Sequence, residues 1–595
     1  MLTKLLSFLQ RDQKIQFSFL FIMILVMAFF DVLGVASIFP LMASMADPSI
    51  VQTNPYLLNL YNFFEYEDSE DFLFFLGVLV FCIFVFSLAF KSLTIFLQLK
   101  FTAQIDYSLS KRLFEGYLNH PYAWFLNRHS AELGKTLLSE VTTVVQGAIL
   151  PMTVILAQSA TVIAILILLI VVNPELSLIM GAILIFSYVI IFSIVNKYLS
   201  SIGKKRLLSN EQRYKAVSEA FGAIKEVKLG GLEKAFSQNF NSPAKAFASY
   251  HASSQSILQL PRYFLEAILF GGMLLLMLNL LGENGDAKNF LPMIALYAFA
   301  GYRVMPAIQL VYASFSQLQY HKAAFENLHN DYLSISKEAD KDSKTTQSIA
   351  FTKSLQLKDV SYTYPLADKS SLQNINMVIQ CKQTIGFVGS TGSGKTTLAD
   401  IILGILSPES GSLIIDDQLV TDQSMRSWQE KIGYVPQNIY LADASVAENI
   451  AFGIESDQID REKVKKAAII ANLHAFIQDE MPKGYETEVG ERGVRLSGGQ
   501  RQRIGIARAM YHQPEILILD EATSALDNVT EQAVMDAVNT LGHEITIILI
   551  AHRLTTVQSC DMLYFLQDGE IEASGTFDEL VSKNKKFKLM AESNQ

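Results

Sequence analysis

The sequence predicts two folds in series: an α-helical membrane domain of six transmembrane helices, then an α/β P-loop domain. Three observations carry this prediction. Half of the 595 residues are hydrophobic and only 18% are charged, against about 25% in ordinary soluble chains. The charge deficit is confined to the first half. No charged residue lies between Val141 and Pro174, or between Leu176 and Asn196, and roughly 20 such residues cross a bilayer as a helix. In the second half, a glycine-rich loop sits between an apolar strand and a helix start. These breaks place the domains at 1–335 and 351–595, joined by a polar linker at 336–350.

Six spans are expected, approximately at Phe17–Met45, Phe72–Leu99, Ile149–Val172, Leu176–Tyr198, Gln259–Leu281 and Phe290–Phe315. A soluble domain of this size could not bury six such helices. The first apolar run is too long for a signal peptide and reads as a span. Orientation follows from the connections. The N-terminus carries Lys4, Arg11 and Lys14, and the second-to-third and fourth-to-fifth connections are rich in Lys and Arg. The first-to-second connection, Asp47 to Asp71, holds six acids and no Lys or Arg. Positive residues stay on the cytoplasmic side, so the N-terminus and the second domain are expected inside.

The two basic connections read as cytoplasmic continuations of the spans. Each contains a turn, Pro121 to Arg128 and Ala223 to Gly231. Each is an ordinary helix–turn–helix or a segment that touches the second domain. Cys82, Cys381 and Cys560 are far apart and show neither metal spacing nor a disulfide framework. A net charge of −10 argues against nucleic acid as a partner.

Gly389, Ser390, Thr391, Gly392, Ser393, Gly394, Lys395 and Thr396 lie between the strand at 383–388 and a helix beginning near Thr397. That is the context a P-loop requires. Backbone N–H groups from Ser390 to Thr397 can point at phosphates. Lys395 supplies charge for the β- and γ-phosphates, and the Thr396 hydroxyl offers Mg²⁺ an oxygen. The apolar run Ile516–Leu519 ends in Asp520, placed to hold Mg²⁺ through water, and Glu521, placed to polarise an attacking water.

Leu496, Ser497, Gly498, Gly499 and Gln500 lie between these two elements. The three motifs in this order resemble the ATP-binding cassette (ABC) family, exporter branch, over residues 355–580. The resemblance implies an ATPase with ATP and Mg²⁺ as cofactors. It implies that Tyr364 stacks on adenine, that Gln437 joins Mg²⁺ as the Q-loop residue, and that Glu491 lies in the exporter X-loop. It further implies that Ser524 to Asp527 form the D-loop and that His552 contacts the γ-phosphate. The 121–128 and 223–231 turns become coupling helices. In that family the Ser497–Gln500 segment caps the ATP of a partner cassette, so two cassettes are implied: a homodimer by default, with a heterodimer of similar chains as the alternative.

Ionisable residues inside spans are functional candidates. Here they are Asp31, Lys91, Arg262, Glu266 and Arg303, and Arg303 has no charged neighbour from Asn289 to Tyr320. Arg262 and Glu266 are one turn apart and can pair, and Lys91 can snorkel. The sharper reading makes Lys91, Arg262 and Arg303 the walls of a basic cavity for a lipid with an anionic head group. Asn54 to Phe64, too short to span and too apolar for a loop, reads as an amphipathic helix on the outer membrane surface. With Ala298–Pro306 and Ala223–Lys228, this arrangement is similar to bacterial lipid-linked oligosaccharide flippases of protein glycosylation. That resemblance implies a polyprenyl-diphosphate glycan as cargo and the bacterial cytoplasmic (inner) membrane as location. A drug, peptide or other lipid exporter shares every cassette motif. A nucleotide-gated regulator that does not turn ATP over fits the motifs less well, because Glu521 and His552 are intact.

Overall fold

The computed structural model describes all residues except 1, 67, 283–286, 340–346, 366, 491–492, 522–530, 532–535, 537–543, 552 and 594–595. It also leaves aside the side chains of some helix positions, most of them between 260 and 291. The chain divides into two compact units. One comprises Met1–His120 and Arg128–Asp340, the other Pro121–Asn127 and Lys341–Gln595.

The first unit is helical throughout. Helix α1 is Leu2–Phe8, and the first span is two helices, α2 (Arg11–Ala36) and α3 (Ile38–Ala46). Two short helices follow, α4 (Ile50–Thr53) and α5 (Pro55–Phe63). Asn54 caps α5 by accepting hydrogen bonds from the N–H groups of Tyr56 and Leu57, and Pro55 occupies its first position. Leu57 turns inward onto Val51, Phe72 and Leu76, while Tyr56 and Phe63 are 83% and 80% exposed. The segment expected to lie on a membrane surface is therefore a helix with an anchored face and an aromatic exposed face.

Helix α6 (Ser69–Leu118) has 50 residues, roughly 75 Å at 1.5 Å per residue. It exceeds a hydrocarbon core of about 30 Å and must continue beyond it. Helix α7 is Tyr122–Phe125. After it, α8 (Ser130–Lys135), α9 (Val141–Val144) and α10 (Leu150–Val172) form one rod interrupted by π-helical turns at Thr136–Glu140 and Val145–Ile149. Helices α11 (Pro174–Gly222), α12 (Ile224–Leu229), α13 (Glu233–Gly282) and α14 (Ala287–Ala339) complete the unit. Helix α14 runs into the stretch read as linker. Among the described residues five helices are long and apolar enough to cross a membrane. The expected span Gln259–Leu281 lies in α13, where many side chains are outside the described residues.

The second unit is built on two sheets. The strands are β1 (Ser354–Tyr362), β2 (Leu372–Gln380), β3 (Thr384–Gly389), β4 (Ser410–Ile415), β5 (Gln418–Leu419), β6 (Ile432–Val435), β7 (Ile516–Asp520), β8 (Thr546–Ile550), β9 (Met562–Gln567) and β10 (Glu570–Gly575). Four form an antiparallel sheet in the order β2-β1-β4-β5. The others form the order β10-β9-β3-β8-β7-β6, parallel from β9 to β6. Both faces of the parallel sheet are covered. Leu517 and Leu519 enter one core, Ile516 and Ile518 the other, which is why β7 reads as an unbroken apolar run. The carboxyl ends of β3 and β7 emerge together, and that edge carries the site.

Candidate functional site

Strand β3 ends at Gly389, where an added Cβ would meet the Leu566 carbonyl oxygen at 2.2 Å. The loop then turns through Gly392 (φ +80°) and Gly394 (φ +98°), conformations that favour glycine. Helix α15 (Lys395–Ile402) follows directly, so its free N–H groups face the loop. Lys395 is buried, and its Nζ donates to the carbonyls of Gly389 and Ser390 at 2.9 Å each. Burial pushes its ammonium pKa down, and the nearby Glu521 and Asp520 carboxylates partly offset that. The hydroxyl of Ser393 is buried and has no hydrogen-bond partner among the described residues. An anion in the loop would supply both groups with a partner.

Strand β7 ends in Asp520, which is buried, and Glu521 follows it directly. Glu521 sits at φ +48°, a left-handed conformation uncommon for a residue with a side chain. Its N–H is bonded to the Ile550 carbonyl at 3.0 Å, and its Oε2 accepts from Gln437 Nε2 at 2.7 Å. The amide nitrogen of Gln437 is thus engaged with Glu521. The Thr396 hydroxyl, the Gln437 oxygen and the Asp520 carboxylate would supply an all-oxygen donor set of the kind Mg²⁺ prefers.

Two groups that sequence reasoning did not single out complete this edge. Tyr434, on β6, hydrogen-bonds Asp520, and its phenol is pushed up by burial, then by Asp520 and Asp400. Asp400, on α15, is raised to about 6 by burial and by Asp520. Neither belongs to a recognisable motif. Only the sheet order brings them beside β7. Tyr364, expected at the adenine end, has its ring edge-on to Tyr362 at 5.1 Å, and its hydroxyl lies 3.1 Å from that of Thr397.

Ser497 caps helix α20, which spans Gly498–Met510. Helices α16 (Met425–Gln429), α17 (Val446–Ile450), α18 (Arg461–Ile470) and α19 (His474–Asp479) precede it. The Ser497 hydroxyl accepts from the Gln500 N–H at 3.2 Å, and the Gln500 side chain accepts from the Ser497 N–H at 2.8 Å. This reciprocal cap presents Ser497, Gly498 and Gly499 at an exposed helix start. Glu491, Ser524 to Asp527 and His552 lie outside the described residues.

The motifs, their order and the strand–loop–helix setting are those of one family, and comparison with known proteins decides the matter. Residues 372–524 match the ABC transporter family and residues 21–278 the ABC transporter transmembrane region. The chain belongs to the ABC exporter family. It is an ATP-binding, membrane-spanning exporter whose cassette couples ATP hydrolysis to transport. A Pseudomonas aeruginosa protein named "ATP-dependent lipid A-core flippase" is 30% identical over 489 residues, 82% of this chain and 80% of that one. "Heterocyst differentiation ATP-binding protein HepA" of Nostoc is 31% identical over 482 residues, covering 80% and 77%. A solved bacterial Atm1-family ABC exporter with ATP bound shares the fold, with a TM-score of 0.75 at 22% identity over 95% of this chain and 98% of that one.

Of the two connector turns, Pro121–Asn127 groups with the exporter's cassette unit. There Ala123 packs against the same core as Tyr364, Ile405, Met425 and Tyr434. The second, α12, belongs to the membrane unit and leaves Leu229 93% exposed.

The membrane candidates are placed differently from their expected grouping. Arg262 donates to Glu266 on its own helix at 2.8 Å, the pairing alternative. Arg303, without a charged neighbour in its stretch of sequence, is only 8% exposed and pairs with Asp31 of α2 at 2.8 Å. The Lys91 ammonium lies 3.8 Å from the same carboxylate. Asp31 and Arg303 are 272 positions apart, so no periodicity could have joined them.

Proposed function

We propose that the chain works as a homodimer that flips a polyprenyl-diphosphate glycan, a lipid-linked oligosaccharide, across a bacterial cytoplasmic membrane. One observation carries the reading: a cationic cluster and an apolar cavity share two membrane helices, α10 and α14. Lys91 and Arg303 give two positive charges against the single negative charge of Asp31. The cluster also takes in Thr161 of α10. Val162 and Ile163, the next residues, line a cavity of about 540 Å³ with Ile185, Tyr188, Phe192, Ile308 and Phe315, and its walls are almost wholly apolar. A cationic cluster and an apolar cavity within one helical unit suit a lipid with an anionic head. The exposed aromatic face of α5 would engage the tail at the outer surface.

In the cassette, Gly389 to Thr397 would cradle the triphosphate, Lys395 would meet the β- and γ-phosphates, and Tyr364 would stack on the base. Thr396, Gln437 and Asp520 would hold Mg²⁺, which neutralises phosphate charge. Glu521, held by Gln437, would orient the attacking water, and His552 would contact the γ-phosphate. Ser497, Gly498, Gly499 and Gln500 would cap the nucleotide of the partner copy. Closure of the two cassettes would turn the cavity outward, with the cassettes on the cytoplasmic side.

The relatives named as flippases of lipid A-core favour a second reading in which the cargo is another lipid. Proteoliposomes holding a fluorescent polyprenyl-diphosphate oligosaccharide test the two, with Glu521→Gln as the blank. ATP-dependent movement absent from the blank is the expected result. Healthy ATP hydrolysis without movement would transfer the assignment to other lipids, peptides or drugs.

A further inference from the structure

Asp31, in the membrane unit, is fully buried and engages four side chains. Its Oδ1 accepts from Arg303 Nη1 at 2.8 Å and from the Ser87 hydroxyl at 3.0 Å. Its Oδ2 accepts from the Thr161 hydroxyl at 3.5 Å and lies 3.8 Å from Lys91 Nζ. These partners come from α6, α10 and α14, so one carboxylate on α2 ties four helices together.

The cations are less completely satisfied than the anion. Arg303 stacks over the Phe84 ring at 4.8 Å. Its Nη2 is buried and has no hydrogen-bond partner among the described residues. A buried guanidinium N–H without an acceptor is costly. The Lys91 side chain keeps 25% of its exposure and sits beyond hydrogen-bond distance of Asp31. The cluster can therefore accept one more anion, or exchange the one it has.

We propose that Asp31 is a built-in counter-ion that competes with the cargo's phosphate-type anion for Arg303 and Lys91. The proposal rests on the anionic-lipid reading above and adds a residue that opposes binding. With no cargo present, the carboxylate fills the cationic site and holds α2, α6, α10 and α14 together. An arriving diphosphate offers more oxygens and more charge, takes Arg303 and Lys91 from Asp31, and loosens the four-helix tie. Ser87 and Thr161 continue to hydrogen-bond the released carboxylate, which gives it a resting place without a cation. Affinity is then lower than the bare cations would give, because a competitor occupies the site, and cargo binding is linked to helix rearrangement.

The test uses the full-length protein in nanodiscs, with ADP saturating the cassettes so that the phosphate loops are filled. The probe is a short-chain prenyl diphosphate, and the matching prenyl alcohol is the control. Asp31→Asn is expected to bind the diphosphate roughly 10- to 100-fold more tightly, the equivalent of one charge-assisted hydrogen bond, and the alcohol as before. A merely structural role would move both ligands in the same direction. Unchanged, weakened or absent diphosphate binding by folded Asp31→Asn overturns the proposal. Should that variant not fold, Asp31→Asn is made in a Lys91→Gln background, which keeps the wild-type net charge of the cluster, and is compared with Lys91→Gln alone. Tightening there supports the counter-ion, and its absence overturns it. If wild type flips no lipid-linked glycan while Asp31→Asn still tightens diphosphate binding, the cargo assignment fails and the counter-ion stands.

Discussion

The cassette and the membrane unit solve the same problem, holding charge where water is scarce, in opposite ways. In the cassette, charge is held by backbone: Lys395 against the carbonyls of its own loop, and phosphate-facing N–H groups at a helix start. Those groups lie within a few residues of one another. In the membrane unit, charge is held by side chains on four separate helices that meet at Asp31. A backbone cradle is written as a contiguous motif. A side-chain constellation is not.

The comparison predicts different failures on mutation. The largest effect is expected in the cassette, for chemistry rather than folding. Glu521→Gln should lower ATP turnover by about 10²- to 10⁴-fold, the usual loss for removing a proton-transfer group, with Tm and ATP binding retained. A phosphate-release assay beside equilibrium ATP binding measures both. Near-normal turnover would remove Glu521 from the reaction.

Next comes the membrane cluster, where stability should suffer. Arg303→Ala leaves the buried Asp31 with Lys91 alone, and breaking a buried pair from one side costs about 3–5 kcal/mol. Its Tm in detergent should fall clearly below that of wild type, and transport should be lost. Arg303→Ala combined with Asp31→Asn should recover much of the Tm, since no uncompensated charge remains. An unchanged Tm in the single variant would show that the pair carries little of the helix packing.

Ser497→Ala should cost about 1 kcal/mol through loss of the helix cap, with a matching loss in ATP turnover if, as proposed, the same helix start caps the partner's nucleotide. A loss of turnover with no change in Tm would separate the two roles.

The smallest effect concerns pH. Hydrogen bonds from the Ser456 hydroxyl and from the Ser445 N–H and hydroxyl hold Glu448 at about 2, below its ordinary value of 4.5. A depressed carboxylate contributes stability above its unfolded pKa and loses it as pH falls through the folded one. The Tm advantage of wild type over Glu448→Gln should therefore be present at pH 6 and shrink from about pH 4.5 toward pH 2. A constant difference across that range would mean that Glu448 acts by packing alone.

The α/β class, the P-loop and the short helix at Pro55–Phe63 were legible in the sequence. Each follows from local rules, apolar period and cap chemistry, that act over a few residues. The same locality made Lys395, Asp520, Glu521 and Gln437 recognisable, and the sheet brings Gln437 and Glu521 to 2.7 Å. The π-helical turns at Thr136–Glu140 and Val145–Ile149 were not legible, because they accommodate packing against neighbouring helices rather than any local preference.

By itself the sequence determined the class of each half and the family, and it offered the candidate nucleotide-site residues, since hydropathy and contiguous motifs are properties of neighbours along the chain. Tertiary structure alone decided which charges distant in sequence pair. Asp31 and Arg303 meet because α2 and α14 pack together, and in a low-dielectric interior an unpaired charge is too costly to leave. It also decided that Tyr434 and Asp400 crowd Asp520, because the crossover order of β3, β8, β7 and β6 places their elements side by side.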